Sequence, residues 1–225
     1  MLELDIGNSR VKLRQASEPA HIMVIEDTKE IPASERVRFG SVRSEQRTRE
    51  LLAPLMASGT ECLRAIVASV PALQCGYEQP ERLGIDRWLA ALGASEITPE
   101  AIVVDAGTGL TVDYIAEGKF HGGVIAQGIG LSVTNLLAGT DRVGAVSFES
   151  LPKLPTNTAS AVGLGAVAQA VGLITWLQQR WAADAPLIVT GGDGPLLMPY
   201  LGKRAQYQEG LVLNGLKYAK LEEFK

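Results

Sequence analysis

The chain has 225 residues, 46% of them apolar and 20% charged, with 24 glycines and a formal charge of −4. That balance gives a good core and many tight turns, which sets aside disordered chains, and its acidic surface repels phosphate backbones, which sets aside nucleic acid as a partner. Cys62 and Cys75 are the only cysteines; their spacing suits neither a zinc ribbon nor a C-x-x-C redox pair, and they read as half-buried thiols in a reducing compartment. The opening residues Met1–Asp5 lack the basic and apolar regions of a signal peptide. No uninterrupted apolar run approaches the roughly 18 residues of a membrane helix. The expectation is a soluble, cytoplasmic protein without a membrane partner.

In chain order, period-two patterning predicts strands near 1–6, 10–15 and 21–25, and a further one near 37–42. A helix follows over about 44–58, with Ser44 as N-cap and Glu45 in its first turn. Ala65–Ala68 reads as a buried strand and Ile85 to Leu92 as a helix. Strands then fall near 101–105, 109–116 and 119–126, helices near 130–138 and 158–181, a strand at Leu187–Val189 and a helix from about Pro195. The acidic, proline-containing stretch 95–100 marks a boundary, dividing the chain into 1–98 and 99–225.

The two parts begin alike. Leu2-Glu3-Leu4-Asp5-Ile6-Gly7-Asn8-Ser9 and Ile102-Val103-Val104-Asp105-Ala106-Gly107-Thr108-Gly109 are each an apolar strand, an Asp-x-Gly turn and a second alternating strand. Each part continues with alternating helix and strand, which points to a duplicated α/β layer with a mixed sheet. Glycine lets a ligand approach the turn, successive amide N–H groups with Asn8, Ser9 or Thr108 offer donors to phosphate oxygens, and the aspartate can hold a cation or its waters. Either turn alone is what many hairpins carry; two facing turns would grip a polyphosphate from both sides. The third element, Val189-Thr190-Gly191-Gly192-Asp193-Gly194, is a strand running into glycines before a helix, suited to a nucleotide face or a phosphate.

Asp86, at a helix start among Leu83, Ile85 and Trp88, has the chemistry of a proton acceptor, and the Arg87 fork suits a carboxylate or phosphate. Asp86 as a residue favouring the helix dipole and Arg87 as a surface ion pair are the plain alternatives. Lys12 could reach phosphate or be an exposed strand lysine. Tyr77 reads as a loop residue, Thr158 as an N-cap and Asp113 as a solvated strand position. His21 and His121 have no matching ligand motif, and Trp176 and Trp181 suit core packing or a subunit interface.

Together the two turns and the glycine loop resemble the acetate kinase, sugar kinase, heat-shock-70 and actin superfamily. Gly76-Tyr77, then Leu83-Gly84-Ile85-Asp86-Arg87-Trp88, with Gly122-Gly123-Val124-Ile125 and Pro155-Thr156-Asn157-Thr158, resemble type III pantothenate kinases. The resemblance implies two ribonuclease H-like (actin-like ATPase) domains, each a mixed β-sheet flanked by helices. It implies phosphorylation of pantothenate by ATP, the first step of coenzyme A biosynthesis, in a homodimer. ATP would bind along Asp5, Ile6, Gly7, Asn8, Ser9, Arg10, Val11 and Lys12, and at Thr108. Asp86 would accept the proton; Tyr77, Gly84, Ile85, Arg87 and Thr158 would meet pantothenate along with it. Asp105 would hold a monovalent cation, K+ or NH4+, with Mg2+ arriving on ATP. Ser9 stands where threonine is common, Gly109 where alanine is usual and Gln127 where proline is usual. A kinase of another small alcohol or acid on the same scaffold, or a non-catalytic nucleotide-binding accessory protein, stays open; some relatives are named as accessory factors of a virulence regulator.

Overall fold

The computed structural model describes residues 1–25, 30–141, 144, 146, 148, 151 and 153–225. The first stretch of chain forms β1 (Leu2–Ile6), β2 (Val11–Gln15), β3 (Met23–Ile25), β4 (Arg36–Ser41), α1 (Glu45–Ala57), β5 (Glu61–Ile66), β6 (Gln74–Cys75) and α2 (Ile85–Ser95). There follow β7 (Ala101–Ala106), β8 (Gly109–Ala116), β9 (Lys119–Gln127), α3 (Ile129–Ala138), α4 (Thr158–Trp181), β10 (Leu187–Thr190), α5 (Gly194–Leu197) and β11 (Ala205–Tyr207). The last are α6 (Leu211–Gly215) and β12 (Lys220–Glu223).

The strands form two six-stranded sheets, ordered β12-β5-β4-β1-β2-β3 and β11-β10-β7-β8-β9-β6. Without the outermost β12 and β6, the two orders are the same when each strand is matched to its counterpart. That shared order is the duplication the twin turns announce. The first sheet is mixed: β1 is antiparallel to β2 and parallel to β4. The chain divides into two compact units, Met1–Pro99 with Ile115–Gly122 and Gly210–Lys225, and Glu100–Tyr114 with Gly123–Glu209. Two later stretches thus return to the first unit.

In the first unit, alternation along β1 sends Leu2, Leu4 and Ile6 into a core with Val37, Phe39 and Leu52. Glu3 points to the other face and is buried too, because Arg14 and Arg38, its register partners on β2 and β4, both bind its carboxylate. Arg14 Nη1 also donates to Asn214 Oδ1 at 2.7 Å, tying α6 to the sheet. β12 lies against β5, and Phe224 beyond it packs edge-on against Phe39 beneath the guanidiniums of Arg49 and Arg64. In the second unit, Ile102, Val104 and Val112 pack with Val167, Ile174 and Leu177 of α4.

Several expectations shift. The strand expected at Ala65–Ala68 is β5, Glu61–Ile66, and α2 runs on to Ser95. Four strands precede the first α-helix, as expected, with β4 lying directly beside β1. The helix expected from Pro195 is a single turn followed by a 3-10 turn at Met198–Tyr200. Ser44 does cap α1, its side chain accepting from Arg47 N at 3.3 Å. Asp113 is not solvated but 1% exposed, held against Gly123, where any Cβ would strike its carboxylate. Finally, α4 is long and apolar enough by length and composition to cross a membrane, with a mean hydropathy of 1.6; glycines and polar residues hide this from a search for unbroken runs, and one face packs in the second core.

Candidate active site

In the first unit the turn from β1 to β2 closes with Gly7 N donating to Arg10 O at 3.0 Å. Asn8, Ser9 and Arg10 are exposed at its tip, while Asp5 and Lys12 are half-buried and face each other in the β1–β2 register. Being register partners, they lie on one face of the hairpin, a placement that spacing alone left open. Arg43, which lies just past β4, donates from Nε to Gly7 O at 2.8 Å. Its involvement follows from strand register and was not visible in the sequence.

The same unit positions Asp86. A 3-10 turn at Pro80–Arg82 leads into α2, and Asp86 in the first helical turn accepts from Arg87 N at 2.8 Å. A Cβ on Gly84 would lie 2.6 Å from Asp86 Oδ1, so glycine at this position is what lets the carboxylate take its place. Gly40, the register partner of Asp5 on β4, meets Leu89 of α2 so closely that a Cβ would sit 2.6 Å from Leu89 Cδ1. α2, which carries Asp86, is therefore seated on the strand beside the first turn. Arg87 is no surface ion-pair residue: it is 4% exposed, with its guanidinium 5.7 Å from the Tyr77 ring and 5.9 Å from that of Phe120. Trp88 packs edge-on against Phe120, its buried Nε1 lacking a partner among the described residues. Phe120, which sequence reasoning missed, thus links Tyr77, Arg87 and Trp88.

In the second unit Gly107 N donates to Gly109 O at 2.9 Å, closing the second turn. Asp105 lies beside Thr190 in the β7–β10 register, and its Oδ1 comes 2.5 Å from where a Cβ of Gly191 would be. Gly191 has φ +91°, a left-handed conformation that a side chain resists, and it packs against the Ala106 carbonyl. Asp193 N donates to that same carbonyl at 2.9 Å. Tyr207, also unpredicted, donates to Gly191 O at 3.2 Å, and burial, with the charges of Glu209 and Asp105, pushes its phenol above the ordinary range. Thr108 is exposed on the turn. Thr158 opens α4 rather than capping it; Asn157 is the N-cap, accepting from Ser160 N at 2.9 Å. With Ser132, Asn135 and Gln169 these residues line a cavity of about 900 Å³ between α3 and α4. Among the described residues no three His, Cys, Asp or Glu side chains gather as a metal cluster.

Two sheets of matching strand order, each led by an aspartate–glycine turn, define the fold class of the actin-like ATPases and sugar kinases. A protein from Sinorhizobium meliloti named as a 2-dehydro-3-deoxygalactonokinase shares that fold over 96% of both chains, with TM-score 0.54 and 13% identity. One from Campylobacter jejuni named for the Baf family of transcriptional activators matches with TM-score 0.68 and 24% identity, again over 96% of both. The family model of type III pantothenate kinase matches residues 70–180. The type III pantothenate kinase of Laribacter hongkongensis is 33% identical over 240 residues, 97% of each chain. This chain belongs to the type III pantothenate kinase family.

Proposed function

We propose that this chain transfers the γ-phosphoryl group of Mg2+-ATP to the primary hydroxyl of pantothenate, giving 4'-phosphopantothenate and ADP at the opening of coenzyme A biosynthesis. The observation that carries the reading is the seating of Asp86: its carboxylate fills the space that Gly84 leaves, with Arg87 buried under Tyr77 and Phe120 beside it. In the reaction the hydroxyl oxygen attacks the γ-phosphorus, the bond to the β-phosphate oxygen breaks, and the hydroxyl proton passes to Asp86. Asp5 to Lys12 and Thr108 bind ATP; Tyr77, Gly84, Ile85, Arg87 and Thr158 orient pantothenate, with the Arg87 fork suited to its carboxylate.

Asp105 is the residue for a monovalent cation. Its carboxylate and the Ala106 carbonyl oxygen both crowd against the bare Gly191, which brings together two oxygens of the kind that hold such an ion. A bound K+ or NH4+ would supply positive charge beside the phosphates. The working form is a cytoplasmic homodimer.

A coupled assay of ADP release tests the reading: ADP appearing with ATP, K+ and pantothenate together supports it. ADP formed only with a different acceptor, or ATP bound without turnover, would overturn it.

A further inference from the structure

The parallel register of β1 and β4 sets Ile6 opposite Ser41, so both strands leave the sheet side by side. Val42 N continues the pairing by donating to Ile6 O at 3.1 Å. The residues just beyond, Gly7 to Arg10 on one strand and Arg43 on the other, are thereby neighbours. Arg43 is held at both ends. Its amide donates to Ser41 Oγ at 3.2 Å, and Ser41 Oγ lies 2.7 Å from Thr48 Oγ1 of α1. Its side chain turns back over the first turn, with Nε donating to Gly7 O at 2.8 Å.

What distinguishes this arginine is its charge balance. Arg14 and Arg38, the other guanidiniums packed into the sheet, both end on Glu3. Arg43 is half-buried, and among the described residues no carboxylate pairs with it. A partly desolvated guanidinium without a carboxylate favours a bound anion. Because Nε is committed to Gly7, the two terminal nitrogens form the planar edge that matches a pair of phosphate oxygens. The anion at hand, on the nucleotide reading above, is the polyphosphate that the turn itself would bind.

We infer that Arg43 is a phosphate ligand of the first turn. Nε fixes the Gly7 carbonyl, and with it the turn; the terminal nitrogens bind oxygens of the nucleotide polyphosphate. The inference rests on the proposed kinase reading and adds to it a residue far from the Asp5–Lys12 segment.

Titration calorimetry with ATP and with adenosine, on wild type, Arg43→Lys and Arg43→Ala, tests it alongside thermal melting of each ligand-free protein. The expected result is an ATP dissociation constant raised about 10- to 100-fold in Arg43→Ala, the scale of a charge-assisted hydrogen bond, and raised less in Arg43→Lys. Adenosine affinity and melting temperature stay at the wild-type values, and added guanidinium ion restores part of the ATP affinity of Arg43→Ala. Variants that bind ATP as wild type does would overturn the assignment. So would equal losses for ATP and adenosine with a lowered melting temperature, which mark a structural brace only. A wild-type chain that binds no ATP removes the nucleotide reading and this assignment together; a wild type that binds ATP no better than Arg43→Ala removes the assignment alone.

Discussion

Gly84 and Asp86 share one small volume: a methyl group on Gly84 would stand 2.6 Å from Asp86 Oδ1, well inside van der Waals contact. The absence of a side chain two residues earlier therefore sets where this carboxylate can sit. Gly84→Ala should displace the carboxylate while leaving the buried face of α2 in place. We expect kcat to fall at least tenfold with little change in melting temperature, since misplacing a reacting group by about an ångström is costly. Steady-state kinetics with a parallel melt decide it; unchanged kcat would show that the carboxylate has room to spare.

Asp86→Asn removes the proposed proton acceptor with almost no change in shape. Turnover should drop by ~10²–10⁴ while ATP binding survives, as loss of a general base predicts. Near-wild-type turnover in that variant takes Asp86 out of the chemistry.

Glu3 joins two guanidiniums inside the first unit. Glu3→Gln would leave Arg14 and Arg38 buried without a countercharge, a loss of about 3–5 kcal/mol. The exposed Arg36–Glu61 pair makes the control, because Glu61→Gln should cost no more than ~1 kcal/mol. Urea unfolding of both variants gives the comparison, and equal midpoints would refute the buried-cluster account.

Activity should depend on K+ or NH4+ through Asp105. Replacing these ions by a bulky organic cation should lower wild-type turnover, and Asp105→Asn should be slow and insensitive to the exchange. Full wild-type rates without either ion would argue against a cation at Asp105.

Cys62 gives a pH signature. Burial pushes its thiol above the ordinary range, so above about pH 8.5 the unfolded chain loses a proton that the folded chain keeps. The contribution is fully present below that pH and is lost as pH rises toward the folded value. Unfolding free energy should fall more steeply with pH in this alkaline window for wild type than for Cys62→Ala. Parallel curves would exclude the thiol as the source.

What could be read directly from the amino-acid order was chemistry contained in a short segment. Asp5-Ile6-Gly7 and Asp105-Ala106-Gly107 announce their turns because strand, bend and strand are contiguous, and Gly84 and Asp86 lie within one motif. Arg43, Phe120 and Tyr207 were illegible for the opposite reason. Each matters through a partner that only the fold brings near: Gly7 for Arg43, Arg87 for Phe120, Gly191 for Tyr207. Asp113 misled because alternation placed it on a polar face, whereas its burial depends on the bare backbone of Gly123 opposite. β6, α6 and β12 are too short to leave a periodic trace, and β12 gains its place only by pairing with β5.

The return of Gly210–Lys225 to the first unit has a consequence for biogenesis. Phe224 seals the Phe39 side of that unit's interior, and Asn214 meets Arg14 of its buried ion cluster. During translation, residues 1–99 are made well before Gly210–Lys225, so this interior stays unsealed until the later stretch is synthesised. The first unit therefore completes its packing only after the residues of the second unit have been made.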